Sequence, residues 1–209
     1  MYTKVQLFEL CNQKGVVLIK QANDFIQKGM IQQFQNEPCS RVEYDINSRY
    51  MPRGFYCPSI ALDKIITNAR RGKLLKHLTQ RSKPTHRFVF DESEKLIMAE
   101  TKAPFPEITE YLIYEYNKIL GFSVDANNRI TAISEENYEQ GFLMNYYFAT
   151  LSFDEKSIHS AFYEQYHYIN DELNMIDHIS VPIFSKKYLK IKGVDSFVKH
   201  WQLTKAVLN

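Results

Sequence analysis

At 209 residues, with 26 Lys+Arg, 24 Asp+Glu, 44% hydrophobic and 14% aromatic residues, the chain belongs with folded globular proteins and not with disordered ones. No run approaches about 20 consecutive apolar residues, which excludes a membrane-spanning helix, and the opening MYTKVQLFELCNQKGVV lacks the basic leader and cleavage site of a signal peptide. Cys11, Cys39 and Cys57 are odd in number and far apart, so free thiols and a cytoplasmic setting are expected.

A short helix is expected around residues 3–13, stopping at Lys14-Gly15, because glycine readily ends helices. From Val16 to about Gln35, Leu18, Ala22, Phe25 and Gly29 share one face, with Ile26, Met30 and Gln33 beside it. That spacing predicts a helix with one buried stripe. Pro38 ends it. Residues 40–46 alternate Val42, Tyr44 and Ile46 and predict a strand or an extended arm. Pro52, Gly54 and Pro58 mark an irregular connection, after which Ser59 is placed to cap a further helix. Such a helix would carry Leu62, Ile65, Ile66 and Ala69 on one face and Leu74, Leu75 and Leu78 on the other, so a bend at Gly72 is expected.

The second half alternates. His86–Asp91 and Leu96–Ala99 predict a hairpin across Asp91–Glu94. Thr109–Tyr116 and Ile119–Val124 flank Asn117-Lys118, the length of a tight turn. Asp125–Asn128 leads into Arg129–Ser134, and Phe142–Leu151 is the richest strand. Phe162–Ile169 and Leu173–Ser180 flank Asn170–Glu172, and Tyr188–Ile191 adds a last strand. Residues 154–163 read as strand or as a helical turn, while Asp195 to about Val207 reads as a capped helix carrying Phe197, Val198 and Trp201. The fold class expected is α+β: a mainly helical, basic part over 1–85, then over 86–209 an antiparallel meander of about 7–9 strands with a C-terminal helix. The two parts form separate domains or one continuous domain.

FVFDESEKLIMA, FSVDANNRITAI and YINDELNMIDHI share an aromatic-led strand, an Asp turn and an apolar strand. Asp91, Asp125 and Asp171 are spaced by 34 and then 46 residues, so independent hairpins with common turn chemistry explain them better than a strict repeat. Residues 122–133 resemble one copy of the tyrosine-aspartate repeats of bacterial Rhs-type shells, through Asp125, Asn128, Arg129 and Ile130. Val124 stands where those repeats carry tyrosine and Asn128 where they carry glycine. The likeness spans about a dozen residues and implies no activity.

Charge is sorted along the chain. Residues 1–87 carry 15 Lys+Arg against 6 Asp+Glu, and residues 88–209 carry 11 against 18, giving +9 and −7. Either the halves neutralise each other or one of them offers a charged face to a partner. The dinucleotide, P-loop, lipase-elbow, zincin and zinc-ribbon motifs are all missing. His77, His86, His159, His167, His178 and His200 show no metal-ligand spacing, so no metal or cofactor is expected. Asp177 and His178 are neighbours, but on a strand they point to opposite faces. Cys57, just ahead of Pro58 and an expected helix start, is the one thiol in a suggestive position.

The function expected is a non-catalytic cytoplasmic protein-binding protein, in one version a bacterial immunity-type protein that neutralises a toxin. Its acidic, aromatic sheet face would present Tyr114, Tyr116, Tyr146, Tyr166, Tyr168, Glu115 and Glu164 to a basic partner. The alternative is nucleic-acid binding through the basic segment 64–87, with Arg70, Arg71, Lys73, Lys76 and Arg81 on phosphates. A second alternative is an enzyme whose site is dispersed along the chain and assembled only by folding. Whether the basic segment faces water or packs on the sheet separates these readings.

Overall fold

The computed structural model describes residues 4–49, 53–59, 71–102, 106–152, 158–182 and 197–202. Two helices, α1 (Lys4–Gln27) and α2 (Met30–Asn36), precede the strands. These are β1 (Arg41–Ile46), β2 (Lys73–Leu74), β3 (His86–Phe90), β4 (Leu96–Thr101), β5 (Ile108–Glu115) and β6 (Lys118–Asp125). They continue with β7 (Ile130–Glu139), β8 (Phe142–Leu151), β9 (Ile158–Ile169), β10 (Glu172–Pro182) and β11 (Phe197–Gln202). Hydrogen bonding orders them β11-β10-β9-β8-β7-β6-β5-β4-β3-β1-β2. The α+β class and the antiparallel meander are as expected. Among the described residues there are ten strands of five residues or more plus the two-residue β2, more than the 7–9 anticipated.

Gly15 does not end a helix; α1 runs through it. A Cβ at this position would stand 1.8 Å from Ile158 Cδ1 and 2.8 Å from the Tyr147 hydroxyl. The residue is there so that helix backbone can approach β8 and β9 closely. The break falls later, at Gly29, whose φ of 70° separates α1 from α2.

Three further expectations change. Residues 60–70 lie outside the described residues, but Lys73 and Leu74 form β2 against Ile46 and Asp45, so the leucines at 74, 75 and 78 do not line a helix. The Leu75 N–H donates to the Tyr44 carbonyl, and this pairing with β1 overrides the helical spacing. Ile158 onward is strand and not a helical turn. Phe197–Gln202, expected as helix, pairs antiparallel with β10 from Ser180↔Phe197 to Met175↔Gln202. The sequence FVKHWQ suits a strand, and β10 offers an open edge of hydrogen-bonding groups that only an extended partner satisfies. The rest of that expected helix, and the strand at Tyr188–Ile191, lie outside the described residues.

The chain condenses into two compact units that interleave along the sequence. The first is Met1–Gln21, Tyr114–Leu120 and Ala132–Asn209; the second is Ala22–Ile113 and Gly121–Thr131. Neither coincides with 1–85 or 86–209.

In the first unit, Ile133↔Ala149↔Ala161 and Glu135↔Tyr147↔Tyr163 are opposed across β7, β8 and β9, so they share one face. Ile133, Tyr147, Ala149, Ile158 and Ala161 are buried there with Cys11 and Leu18. The Tyr147 hydroxyl donates to the Cys11 carbonyl at 2.8 Å. In the second unit, Ile31, Val89, Met98, Tyr111, Leu112 and Phe122 are buried. Phe25 stacks on Phe122, and both Phe34 and Phe122 meet Tyr111. Large side chains of this kind each contribute about 1.5–3 kcal/mol when fully buried.

Thiol reactivity follows from this packing. Burial pushes the Cys11 thiol up to about 11 despite the opposing charge of Lys14. Cys57 is also buried, whereas Cys39 is exposed. Iodoacetamide at mildly alkaline pH is expected to add once to the native protein, at Cys39, and at all three thiols after denaturation; mass spectrometry counts the adducts.

Candidate functional site

Three turns gather at one end of the first unit. Tyr116-Asn117 joins β5 to β6, Gln140-Gly141 joins β7 to β8, and Asn170-Asp171 joins β9 to β10. In a meander alternate turns fall at the same end, and the Tyr138 N–H donating to the Asn117 carbonyl at 2.8 Å ties two of them together. Gln140 and Gly141 have φ of 50° and 86°, Asn170 and Asp171 have 51° and 63°, the paired positive values of tight type I′ hairpins.

This end is at once acidic and apolar. Glu115, Glu139, Asp171 and Glu172 are exposed, and so are Tyr116 and Ile169. Phe142 and Tyr168, next to the turns in sequence, lie half-buried with ring centroids 4.9 Å apart. Lys118 is half-buried and adds to the positive field around Glu135.

Of the residues expected on a binding face, Tyr116 and Glu115 are exposed and Tyr114 and Tyr168 are half-buried. Tyr146, Tyr166 and Glu164 are buried, which removes them from any contact surface. They belong to an internal polar network instead. Glu136, Tyr146, Glu164 and His178 stand in one row across β7, β8, β9 and β10. Glu164 bonds His178 Nδ1 at 2.9 Å and accepts from the Tyr166 hydroxyl at 2.5 Å. Glu136 accepts from the Tyr138 hydroxyl at 2.5 Å, and the Phe162 ring stacks on the His178 imidazole. Buried carboxylates require such partners. The signal was present as Glu-x-Tyr at 136–138 and 164–166, since residues two apart on a strand share a face.

On the helix-covered face of the first unit, Glu135 pairs with Lys14 and accepts from the Asn137 amide. Burial opposes its ionisation, but Lys14, Asn137 and Lys118 outweigh burial and hold the carboxyl below its usual range. A lowered folded value means that the unfolded chain takes up the proton first. The stabilisation is therefore complete above the ordinary carboxylate range and disappears as pH falls through the lowered value. Lys14→Met is expected to flatten the loss of stability between about pH 5 and about pH 3, as read by urea unfolding at each pH.

The second unit holds another carboxylate–imidazole pair. Asp45, His86 and Thr101 are opposed across β1, β3 and β4, with side chains 0%, 0% and 2% exposed. Asp45 Oδ1 accepts from the Thr85 hydroxyl at 2.5 Å and pairs with His86 Nδ1 at 3.1 Å, while Oδ2 accepts from the Phe55 N–H at 2.9 Å. The strap over this pair is a single 3₁₀ turn, Gly54–Tyr56. A Cβ on Gly54, whose φ is 47°, would stand 2.5 Å from both Asp45 Oδ2 and His86 Nδ1. Arg53, leading into the strap, grips Glu110 through Nε and a terminal nitrogen at 2.8 and 3.0 Å. Sequence reasoning missed this cluster because Asp45 and His86 are 41 residues apart. The available hint was a strand, Val42 to Ile46, whose alternate face is acidic at Glu43 and Asp45.

The basic segment divides. Arg70 lies outside the described residues. Arg71 is half-buried, and its guanidinium donates to the carbonyls of Phe55, Cys57 and Ser59 at 3.1, 2.5 and 3.0 Å, so it clamps a loop and is not displayed to phosphates. Lys73, Lys76 and Arg81 are exposed, as are His77 and Lys83. No acidic residue occurs from 64 to 90.

Among the described residues, no group of three or more His, Cys, Asp or Glu is placed to hold a metal ion, and no helix is long and apolar enough to cross a membrane. Comparison with protein-family models, with curated proteins and with solved structures finds no match.

Proposed function

We propose that this chain is a non-catalytic protein-binding protein that docks its acidic hairpin end on a basic surface of its partner. The observation that carries the reading is the exposure of Tyr116 and Ile169 among Glu115, Glu139, Asp171 and Glu172. Tyrosine and isoleucine at the tips supply area to be desolvated, and the surrounding carboxylates steer and select a cationic partner. In the immunity-type version, this end covers the basic site of a toxin. A photo-crosslinking amino acid at position 116, used in the host of origin, is expected to trap one partner. Reversing Glu115, Glu139 and Asp171 to Lys should abolish trapping. Crosslinking that is absent, or indifferent to the reversal, overturns the reading.

A second reading rests on a separate observation: Lys73, Lys76, His77, Arg81 and Lys83 face water in a segment without acids. It assigns backbone-directed nucleic-acid binding, since no aromatic residue occurs from 64 to 87 to stack on bases. Affinity for duplex DNA would then fall with salt by a log–log slope of about −0.9 per phosphate contact, and Lys73→Gln with Lys76→Gln and Arg81→Gln would remove it. Undetectable binding at low salt eliminates this reading.

A further inference from the structure

Among the described residues, the buried side-chain polar atoms that meet no hydrogen-bond partner are His86 Nε2 and Thr101 Oγ1. They are not scattered. His86 and Thr101 are directly opposed on β3 and β4, so both side chains stand on the same face, with Cβ atoms roughly 4.5–5.5 Å apart. Folded proteins rarely leave one such atom unpaired, and two at opposed positions point to a common partner.

We propose that His86 Nε2 and Thr101 Oγ1 are the two poles of a buried binding site for a single water-sized molecule that hydrogen-bonds both. The imidazole cannot relieve Nε2 by turning over, because that would withdraw Nδ1 from Asp45, whose carboxylate is fixed by Thr85 and by the Phe55 N–H. In the tautomer that donates from Nδ1 to Asp45, Nε2 presents a lone pair to which the occupant would donate. The threonine hydroxyl accepts or donates as required. Size is limited by enclosure, since His86 and Thr101 are only 0% and 2% exposed. A metal ion would need more His, Cys, Asp or Glu ligands than the described residues bring together. An anion would lie beside the Asp45–His86 pair with no cation to balance it, since the nearby Arg53 is committed to Glu110. Water fits all these conditions. Its hydrogen bonds would make Asp45, His86, the water and Thr101 one continuous polar chain across β1, β3 and β4.

Long-range ¹H–¹⁵N spectra of the histidines and water-to-protein cross-relaxation test this on the intact protein. The expected result is an unprotonated, hydrogen-bonded Nε2 on His86 and a cross-peak from a long-lived water to the Thr101 methyl group. Thr101→Val keeps the shape and removes one pole, so the cross-peak should vanish and Tm should drop by about 2–4 °C. Thr101→Ser removes the methyl group but keeps the hydroxyl pole, so a cross-peak from the long-lived water to the β-protons at position 101 should remain, and this variant serves if the valine variant does not fold. The proposal is overturned if the folded wild type shows no long-lived water at Thr101, or if Nε2 proves to be protonated. It is equally overturned if the valine variant is as stable as the wild type with unchanged His86 signals, since the two poles would then be dry.

Discussion

Arg53→Met is expected to lower stability by about 3–5 kcal/mol, because it removes the cation that faces a buried carboxylate while leaving that carboxylate in place. The side chains of Arg53 and Glu110 are 4% and 2% exposed, so water cannot take over the lost role. Both guanidinium bonds are of good length, which rules out a loose surface pair worth a few tenths of a kcal/mol. The diagnostic companion is the double variant Arg53→Met with Glu110→Leu. Replacing both charges by apolar groups of similar size removes the desolvation cost together with the attraction, so most of the loss should be recovered. Urea unfolding of the two variants decides the matter. Equal losses would mean that Arg53 matters through the packing of its strap and not through its charge. Lys at position 53 is expected to fall between the two, since an ammonium cannot reproduce the two-pronged grip.

The second large effect belongs to Gly15. Alanine is the better helix former by about 1 kcal/mol, so a helix considered alone would gain from Gly15→Ala. Here the new methyl group would meet Ile158 Cδ1 at 1.8 Å and crowd the Tyr147 hydroxyl, which already donates to the Cys11 carbonyl. The expected outcome is a net loss of about 1–2 kcal/mol for alanine and more than about 3 kcal/mol for valine, because overpacking outweighs propensity. Ile158→Val deletes the obstructing methyl. Combined with Gly15→Ala, it should recover part of the loss and give a clear coupling energy in a double-mutant cycle. Additive losses would show that the contact does not decide the glycine.

The hairpins were legible because their determinants are local. Asp91 accepts from the N–H groups of Ser93 and Lys95 at 2.9 Å, and Asp125 does the same for Asn127 and Arg129 at 2.8 and 3.0 Å. Glu94 and Asn128 close both turns with φ near 60°. The echo between FVFDESEK and FSVDANNR is therefore a shared turn, built from one aspartate and the four residues after it. YINDELNM, the third member, turns instead on Asn170-Asp171 and only resembles the others in composition. What stayed hidden depends on distant partners. Gly15 reads as a stop until Ile158 is placed against it, and the leucines at 74 and 75 read as helical until Tyr44 offers a carbonyl. Tyr146, Tyr166 and Glu164 read as an outward face because alternation says which residues lie together, not which side water reaches. Asp45 and His86 carry no mark of each other in sequence. The separation of charge proved partly external: the cations at 73, 76, 81 and 83 do face water.

The bond from Tyr147 to Cys11 spans 136 residues, whereas each hairpin joins neighbours. During synthesis α1 is made well before the strands that cover Cys11 and Gly15, which follow only after this whole interval has been translated. At about 5–20 residues per second, the delay is on the order of ten seconds. Through that time the helix has its stripe of Cys11 and Leu18 without its seat. A helix made early is thus docked late, and a nascent polypeptide of this design offers ribosome-associated chaperones an apolar handle on α1 until β8 and β9 have emerged.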